Sequence, residues 1–138
     1  TLALRMKEHT SNAEKVADYL SNHDAVERVI YPSKMEGYAK ERADKYLTRG
    51  NGGLMGFEIK GGIEAGKKFI NALEMVYHVA NIGDARSLAI HPGSTTHSQL
   101  NEEELLAAGI TPGFVRLSIG LEHIDDIIAD YEQALSKV

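Results

Sequence analysis

Two six-residue stretches, Leu54–Ile59 and Phe114–Ile119, alternate apolar with small or polar side chains at a period of two. In the first, Met55, Phe57 and Ile59 share one face and Gly56 and Glu58 the other; in the second, Val115, Leu117 and Ile119 oppose Arg116 and Ser118. A strand with one apolar face must lay that face on something apolar. The chain supplies helices for this. Leu2, Met6, Ala13, Val16, Ala17 and Leu20 predict a long amphipathic helix over 2–21. Ile63, Gly66, Phe69, Ile70 and Leu73 predict another after the Gly61-Gly62 turn, and Ile124, Ile127, Ile128, Tyr131 and Leu135 a closing one.

Shorter signals fill the gaps. Val26–Tyr31 reads as a strand ended by Pro32, and Tyr38, Arg42, Ala43, Tyr46 and Leu47 as a weaker helix before the loop Gly50-Asn51-Gly52-Gly53. Tyr77–Ala80 and Ser87–His91 read as extended pieces. Asn101 opens a helix with Glu104 in capping-box position, and Gly109 stops it. Without repeats or linkers, residues 1–138 are expected to form one α+β domain: a small, mostly antiparallel sheet with helices on one face, preceded by a long helix.

Composition narrows the function classes. With 43% hydrophobic and 25% charged residues the chain is ordinary for a globular protein. Having no cysteine, it has neither a disulfide framework nor a thiol nucleophile. A net charge of −5 with scattered lysines and arginines argues against a nucleic-acid partner. The apolar runs are too short to cross a bilayer, no charged-then-apolar leader is visible, and the lack of cysteine fits a reducing cytoplasm, the expected location. Helical periodicity begins directly after Thr1, which suggests a processed start or a piece of something longer.

Two segments could carry chemistry. Strand alternation projects Arg116 away from the apolar stripe, between Gly113 and Gly120, and a guanidinium on a rigid strand suits bidentate capture of a carboxylate. An arginine simply covering an open sheet face would give the same pattern. The second is Asn81-Ile82-Gly83-Asp84-Ala85-Arg86-Ser87-Leu88 followed by His91-Pro92-Gly93-Ser94-Thr95-Thr96-His97, where hydroxyls and small residues surround a short apolar strand. Neither G-x-G-x-x-G nor the P-loop pattern occurs. The six histidines have no metal-ligand spacing: His91 and His97 lie six apart across a proline and a glycine, and His78 and His123 read as hydrogen-bonded structural histidines. The acidic residues Glu102-Glu103-Glu104 and Asp125-Asp126 fall at helix starts, where they complement the dipole.

The same segments carry a family resemblance. Gly83-Asp84-Ala85-Arg86-Ser87-Leu88 with His91-Pro92 and Thr96-His97 resembles the substrate-binding stretch of the Cys/Met-metabolism enzymes that use pyridoxal phosphate (PLP). Arg116-Leu117-Ser118-Ile119-Gly120-Leu121-Glu122, running into Asp125-Asp126-Ile127-Ile128, resembles that family's closing strand and helix, and Asn12-Ala13, Val16-Ala17, Leu20 and Tyr31-Pro32 the start of its carboxyl-terminal domain. The resemblance implies that Arg116 binds the substrate's α-carboxylate and that Ser87 assists from the neighbouring strand, with Arg86, Thr96 and Asn81 as further substrate-binding residues. It also implies a homotetramer and an amino-acid substrate.

The chain departs from the family in one respect. The family's PLP lysine lies in an S-x-T-K sequence of a larger amino-terminal domain, and that sequence is absent here. The expectation is a carboxyl-terminal substrate-binding domain, inert without its PLP domain. At the position of Arg86, members handling cystathionine tend to carry glutamate, which attracts that substrate's distal ammonium; an arginine disfavours it and attracts hydrosulfide. Asp84-Ala85-Arg86-Ser87-Leu88 with Ile90-His91-Pro92 most resembles the O-acetylhomoserine sulfhydrylase branch, with methionine γ-lyase and the cystathionine enzymes as alternatives. A rival of another class is a non-catalytic α+β module that binds amino acids or mediates dimerisation.

Overall fold

The computed structural model describes the backbone of residues 1–138 and every side chain except that of Glu102. Five helices are present: α1 (Leu2–Ser21), α2 (Gly37–Tyr46), α3 (Gly62–Ala72), α4 (Glu102–Ala107) and α5 (Ile124–Leu135). The five strands are β1 (Val26–Ile30), β2 (Leu54–Ile59), β3 (Tyr77–His78), β4 (Leu88–Ile90) and β5 (Phe114–Ser118). They form one sheet in the order β1-β2-β5-β4-β3. All neighbours are antiparallel except β3 and β4, which run parallel. The α+β expectation therefore holds, and β5, the strand of Arg116, is the central one.

The period-two stripes do what their pattern requires. Met55, Phe57, Ile59, Val115, Leu117 and Ile119 face a single cluster with α1, α3 and α5. From α1 come Ala13, Val16, Ala17 and Leu20; from α3, Phe69 and Ile70; from α5, Ile127, Tyr131 and Ala134. Phe69 meets Phe57 edge-on, with centroids 5.4 Å apart, a favoured aromatic geometry. Leu88, Ile90 and Leu105 are buried outside this cluster. Register places Leu88 opposite Ser118 and Ile90 opposite Arg116, on the other face.

Local chemistry fixes the ends. Asn101 and Glu104 make both bonds of the capping box, and α4 closes on Gly109 (φ +74°). There the Gly109 N–H donates to Leu106 and the Ile110 N–H to Leu105, a Schellman ending. The Asp130 carboxylate on α5 accepts from the backbone N–H groups of Glu74, Met75 and Val76, pinning the chain that leaves α3.

Two expectations are corrected. Leu2 and Met6 fit the helical period of α1, yet they are exposed together with Leu4, so the buried stripe begins only at His9. His78, expected to be hydrogen-bonded, is exposed on the two-residue edge strand β3 and makes no side-chain hydrogen bond among the described residues. The weaker helix expected around Tyr38–Leu47 is present as α2; it buries no residue, and Tyr38 and Tyr46 flank the Arg42 guanidinium in the solvent.

Candidate substrate-binding site

The site is built around the far face of β5. Arg116 pairs with Gly56 on β2 and Ile90 on β4, so both neighbours are hydrogen-bonded strands. The Phe114 ring lies over Gly56, where a Cβ would stand 2.3 Å from it. A side chain on Gly56 would push Phe114, the next residue along this face from Arg116, out of place. Arg116 is half-buried, and among the described residues its guanidinium makes no ion pair. A cation held on a central strand without a carboxylate partner is poised for an anion from outside.

The loop carrying Asn81 is tied to the end of β5. The Ser118 hydroxyl, on the Arg116 face, accepts from Gly83 N–H at 3.3 Å, and Leu121 N–H donates to the Ala85 carbonyl at 2.8 Å. Arg5 Nη2 donates to the Gly83 carbonyl at 2.9 Å, so α1 braces the same loop. Asn81 is exposed, and its Oδ1 accepts from Ile82 N–H. Arg86 projects 57% exposed, its guanidinium 4.3 Å from the Tyr77 ring centre and its Nε 3.7 Å from Asp84 Oδ1. Asp84 also accepts from the Arg86 N–H at 3.0 Å. That bond, with the Arg86 and Arg5 charges, holds its carboxyl below the usual carboxylate range.

Ser87 sits differently from the neighbouring-strand role expected of it. It precedes Leu88 and alternates with it, so its side chain turns toward the helices, away from the Arg116 face. It is fully buried; its hydroxyl donates to Glu122 Oε2 at 2.8 Å and accepts from Gly120 N–H at 2.9 Å. Arg86 and the Asn81 loop adjoin the start of β4, beside Ser118, whereas Arg116 pairs with Ile90 at the other end of β4. Thr96 lies beyond that second end of β4, exposed, with its hydroxyl on His97 Nδ1.

Below Thr96 stands His91, fully buried. Its Nε2 bonds the Pro112 carbonyl at 2.7 Å and its Nδ1 the Ser94 hydroxyl at 2.8 Å. A carbonyl can only accept, so the proton is on Nε2 and Ser94 donates to Nδ1. Burial pushes the His91 pKa down, partly opposed by the Pro112 bond.

Sequence reasoning missed His9 and Asn12. His9 Nδ1 bonds the Ile119 carbonyl at 2.5 Å, and Asn12 Nδ2 donates to the carbonyls of Gly120 and Glu122. Both anchor α1 to the end of β5. Their signal was present: two polar residues at positions 9 and 12 of a stripe that continues through 13, 16, 17 and 20. A polar group inside an apolar stripe must find a buried partner.

Every lysine of the chain is exposed or half-exposed. The lysines present therefore do not fit a covalent PLP site. Among the described residues, no cluster of three His, Asp or Glu side chains could hold a metal ion.

The chain belongs to the Cys/Met metabolism PLP-dependent enzyme family, whose profile matches residues 1–136. It is 55% identical, over its whole length, to O-acetyl-L-homoserine sulfhydrylase of Leptospira meyeri, covering 31% of that protein. It is 45% identical, again over its whole length, to L-methionine gamma-lyase of Fusobacterium nucleatum subsp. polymorphum, covering 35% of it. A crystal structure described as an O-acetylhomoserine (thiol)-lyase from Campylobacter jejuni, carrying N′-pyridoxyl-lysine-5′-monophosphate, superimposes with a TM-score of 0.90. The identity there is 45%, over 99% of this chain and 32% of that one. The chain spans about a third of the length of the relatives it matches.

Proposed function

We propose that residues 1–138 act as the carboxyl-terminal, substrate-binding domain of a PLP-dependent O-acetylhomoserine sulfhydrylase, which replaces acetate by sulfide to form homocysteine. The observation that carries this reading is the Arg116 guanidinium on the central strand, which makes no ion pair among the described residues. Arg116 binds the α-carboxylate of the amino-acid substrate, and the Asn81 amide supports it across the loop that Ser118 holds. Ser87 stands behind the site, fixing Gly120 and Glu122 rather than touching substrate. The cofactor supplies the electron sink and belongs to an amino-terminal domain; this chain's part is to bind and orient.

Arg86 contributes a positive charge at the loop's outer edge, suited to hydrosulfide and to an uncharged acetyl ester and unfavourable to a distal ammonium. Thr96 borders the site from the far end of β4. The apolar residues Leu2 and Leu4, 71% and 76% exposed, suit cover by the cofactor domain. A homotetramer in the cytoplasm is the expected assembly and location. Methionine γ-lyase is the second reading, supported by the 45% identity to that relative.

The test is kinetic, in the complete enzyme. A charge-assisted bidentate contact contributes about 1.5–3 kcal/mol, so Arg116→Ala should lower kcat/KM for O-acetylhomoserine at least tenfold. Because a correctly held carboxylate also orients the Cα–H bond, the fall should exceed the loss in binding. Arg116→Lys keeps the charge without the fork and should recover only part of it. A kcat/KM within about threefold of wild type in Arg116→Ala, with PLP content normal, would reduce Arg116 to a surface residue.

A further inference from the structure

Arg86 is held by two different kinds of contact, and they divide the work. Asp84 approaches its Nε at 3.7 Å, and the Tyr77 ring covers the guanidinium plane at 4.3 Å. A carboxylate that holds a cation also cancels part of its charge. An aromatic ring attracts the cation through its quadrupole and leaves the net charge in place. The ion pair with Asp84 is made through Nε, and the Arg86 side chain is 57% exposed.

The ring is itself fixed by the sheet. Tyr77 N–H donates to the Ser87 carbonyl at 3.1 Å, and Tyr77 stands in parallel register with Leu88. The chain before Arg86 is fixed as well: the Asp84 carboxylate caps the Arg86 N–H, and Leu121 binds Ala85. Both ends of the stacked pair therefore belong to rigid backbone, although Tyr77 is 53% and Arg86 57% exposed. An arginine that exposed would otherwise distribute over many rotamers.

We propose that Tyr77 is a specificity-positioning residue: its ring holds the Arg86 guanidinium in one orientation at the rim of the substrate site without cancelling its charge further, and that charge selects a small anionic nucleophile over a substrate bearing a distal ammonium. This rests on the reading of Arg86 given above. The role requires the ring and not the hydroxyl.

The experiment uses the complete enzyme loaded with PLP, with sulfide as nucleophile and O-acetylhomoserine saturating, and cystathionine as competing substrate. The variants are Tyr77→Phe, Tyr77→Leu, Tyr77→Thr, Arg86→Gln and the pair Tyr77→Leu with Arg86→Gln. An exposed cation–π contact corresponds to a factor of about two to five. Tyr77→Leu and Tyr77→Thr should raise KM for sulfide by about that factor with kcat unchanged, and improve use of cystathionine. Tyr77→Phe should match wild type. Once Arg86 is glutamine, Tyr77→Leu should have no further effect. Threonine suits an edge strand, so a fold intolerant of leucine still leaves a variant to read. If Arg86→Gln raises KM for sulfide while Tyr77→Leu and Tyr77→Thr do not, or if Tyr77→Leu acts equally with and without Arg86, the positioning role is overturned and the Arg86 reading stands. If Arg86→Gln itself leaves KM for sulfide unchanged, the Arg86 reading fails and the role of Tyr77 falls with it.

Discussion

Glu122 grips Ser87 at two points: Oε1 accepts the Ser87 backbone N–H at 2.6 Å, and Oε2 accepts the Ser87 hydroxyl at 2.8 Å. The same hydroxyl accepts from Gly120 N–H, and a Cβ on Gly120 would stand 2.3 Å from Glu122 Oε2 and 2.5 Å from the Ala85 carbonyl oxygen. The loop before β4 and the turn after β5 are thereby locked face to face. Truncating the carboxylate leaves a buried hydroxyl and an N–H without their acceptor.

Glu122→Ala should accordingly destabilise the chain by about 2–4 kcal/mol, from two bonds to a charged group less what water regains. Ser87→Ala, which strands only the Gly120 N–H and one carboxylate oxygen, should cost about 1–3 kcal/mol. Urea denaturation followed by circular dichroism measures both. Equal stability of Glu122→Ala and wild type would mean that the clasp contributes nothing.

His91 gives the fold a dependence on acid. Its pKa lies below the ordinary histidine value because burial disfavours the cation. The unfolded chain then binds a proton more readily than the folded one, so His91 contributes stability fully present above about pH 6.5, lost as pH falls below that toward the folded pKa. Protonation would also set an N–H on Nδ1, where Ser94 now donates. The wild-type chain should lose more stability between pH 7.5 and pH 5.5, two values chosen to bracket about pH 6.5, than His91→Gln does. Parallel losses in the two proteins would show that other groups control the acid limb.

Gly66 is a second consequence of the same ring. A Cβ there would lie 2.6 Å from His91 Cδ2 and Nε2, and the ring cannot swing away because both nitrogens are bonded. Alanine in place of glycine inside a helix ordinarily gains about 1 kcal/mol. Overpacking against a fixed neighbour costs about 1–3 kcal/mol, so Gly66→Ala should be destabilised on balance, by up to about 2 kcal/mol. A raised thermal midpoint in this variant would mean that the ring relocates freely.

The fold was legible where one periodicity dominated. Met55-Phe57-Ile59 and Val115-Leu117-Ile119 announced their buried face, and Asn101 with Glu104 its capping box, because each signal is local. The site was legible in part for the same reason: alternation alone put Arg116 on the far face of β5. Ser87 was not, since its neighbours Glu122 and Gly120 lie more than 30 residues away in sequence and only the β4–β5 pairing brings them together. His9 and Asn12 showed as polar breaks in an apolar stripe, but their acceptors, carbonyls at the far end of β5, were hidden in the same way. The exposed Leu2 and Met6 mark the opposite limit: helical spacing says which side of a helix is apolar, not whether this chain covers it.

The lysines allow a sharp outcome for the chain by itself. A lysine that holds PLP as a Schiff base is normally desolvated or placed beside groups that activate its amine. Here Lys67 pairs with Glu64 on the exposed side of α3, Lys40 with Asp44 on α2, Lys34 with Asp18, and Lys60 Nζ donates to the Asp24 carbonyl. The remaining lysines, at positions 7, 15, 45, 68 and 137, are exposed. With nothing to single one out, PLP added to the 138-residue chain should react slowly and substoichiometrically at several positions. Borohydride reduction followed by peptide mapping reads the distribution. The expected result is a spread of minor adducts, with no turnover of O-acetylhomoserine and sulfide. A stoichiometric adduct at one lysine, with the absorbance of an internal aldimine, would establish a cofactor site within this chain and overturn its assignment as the substrate-side domain.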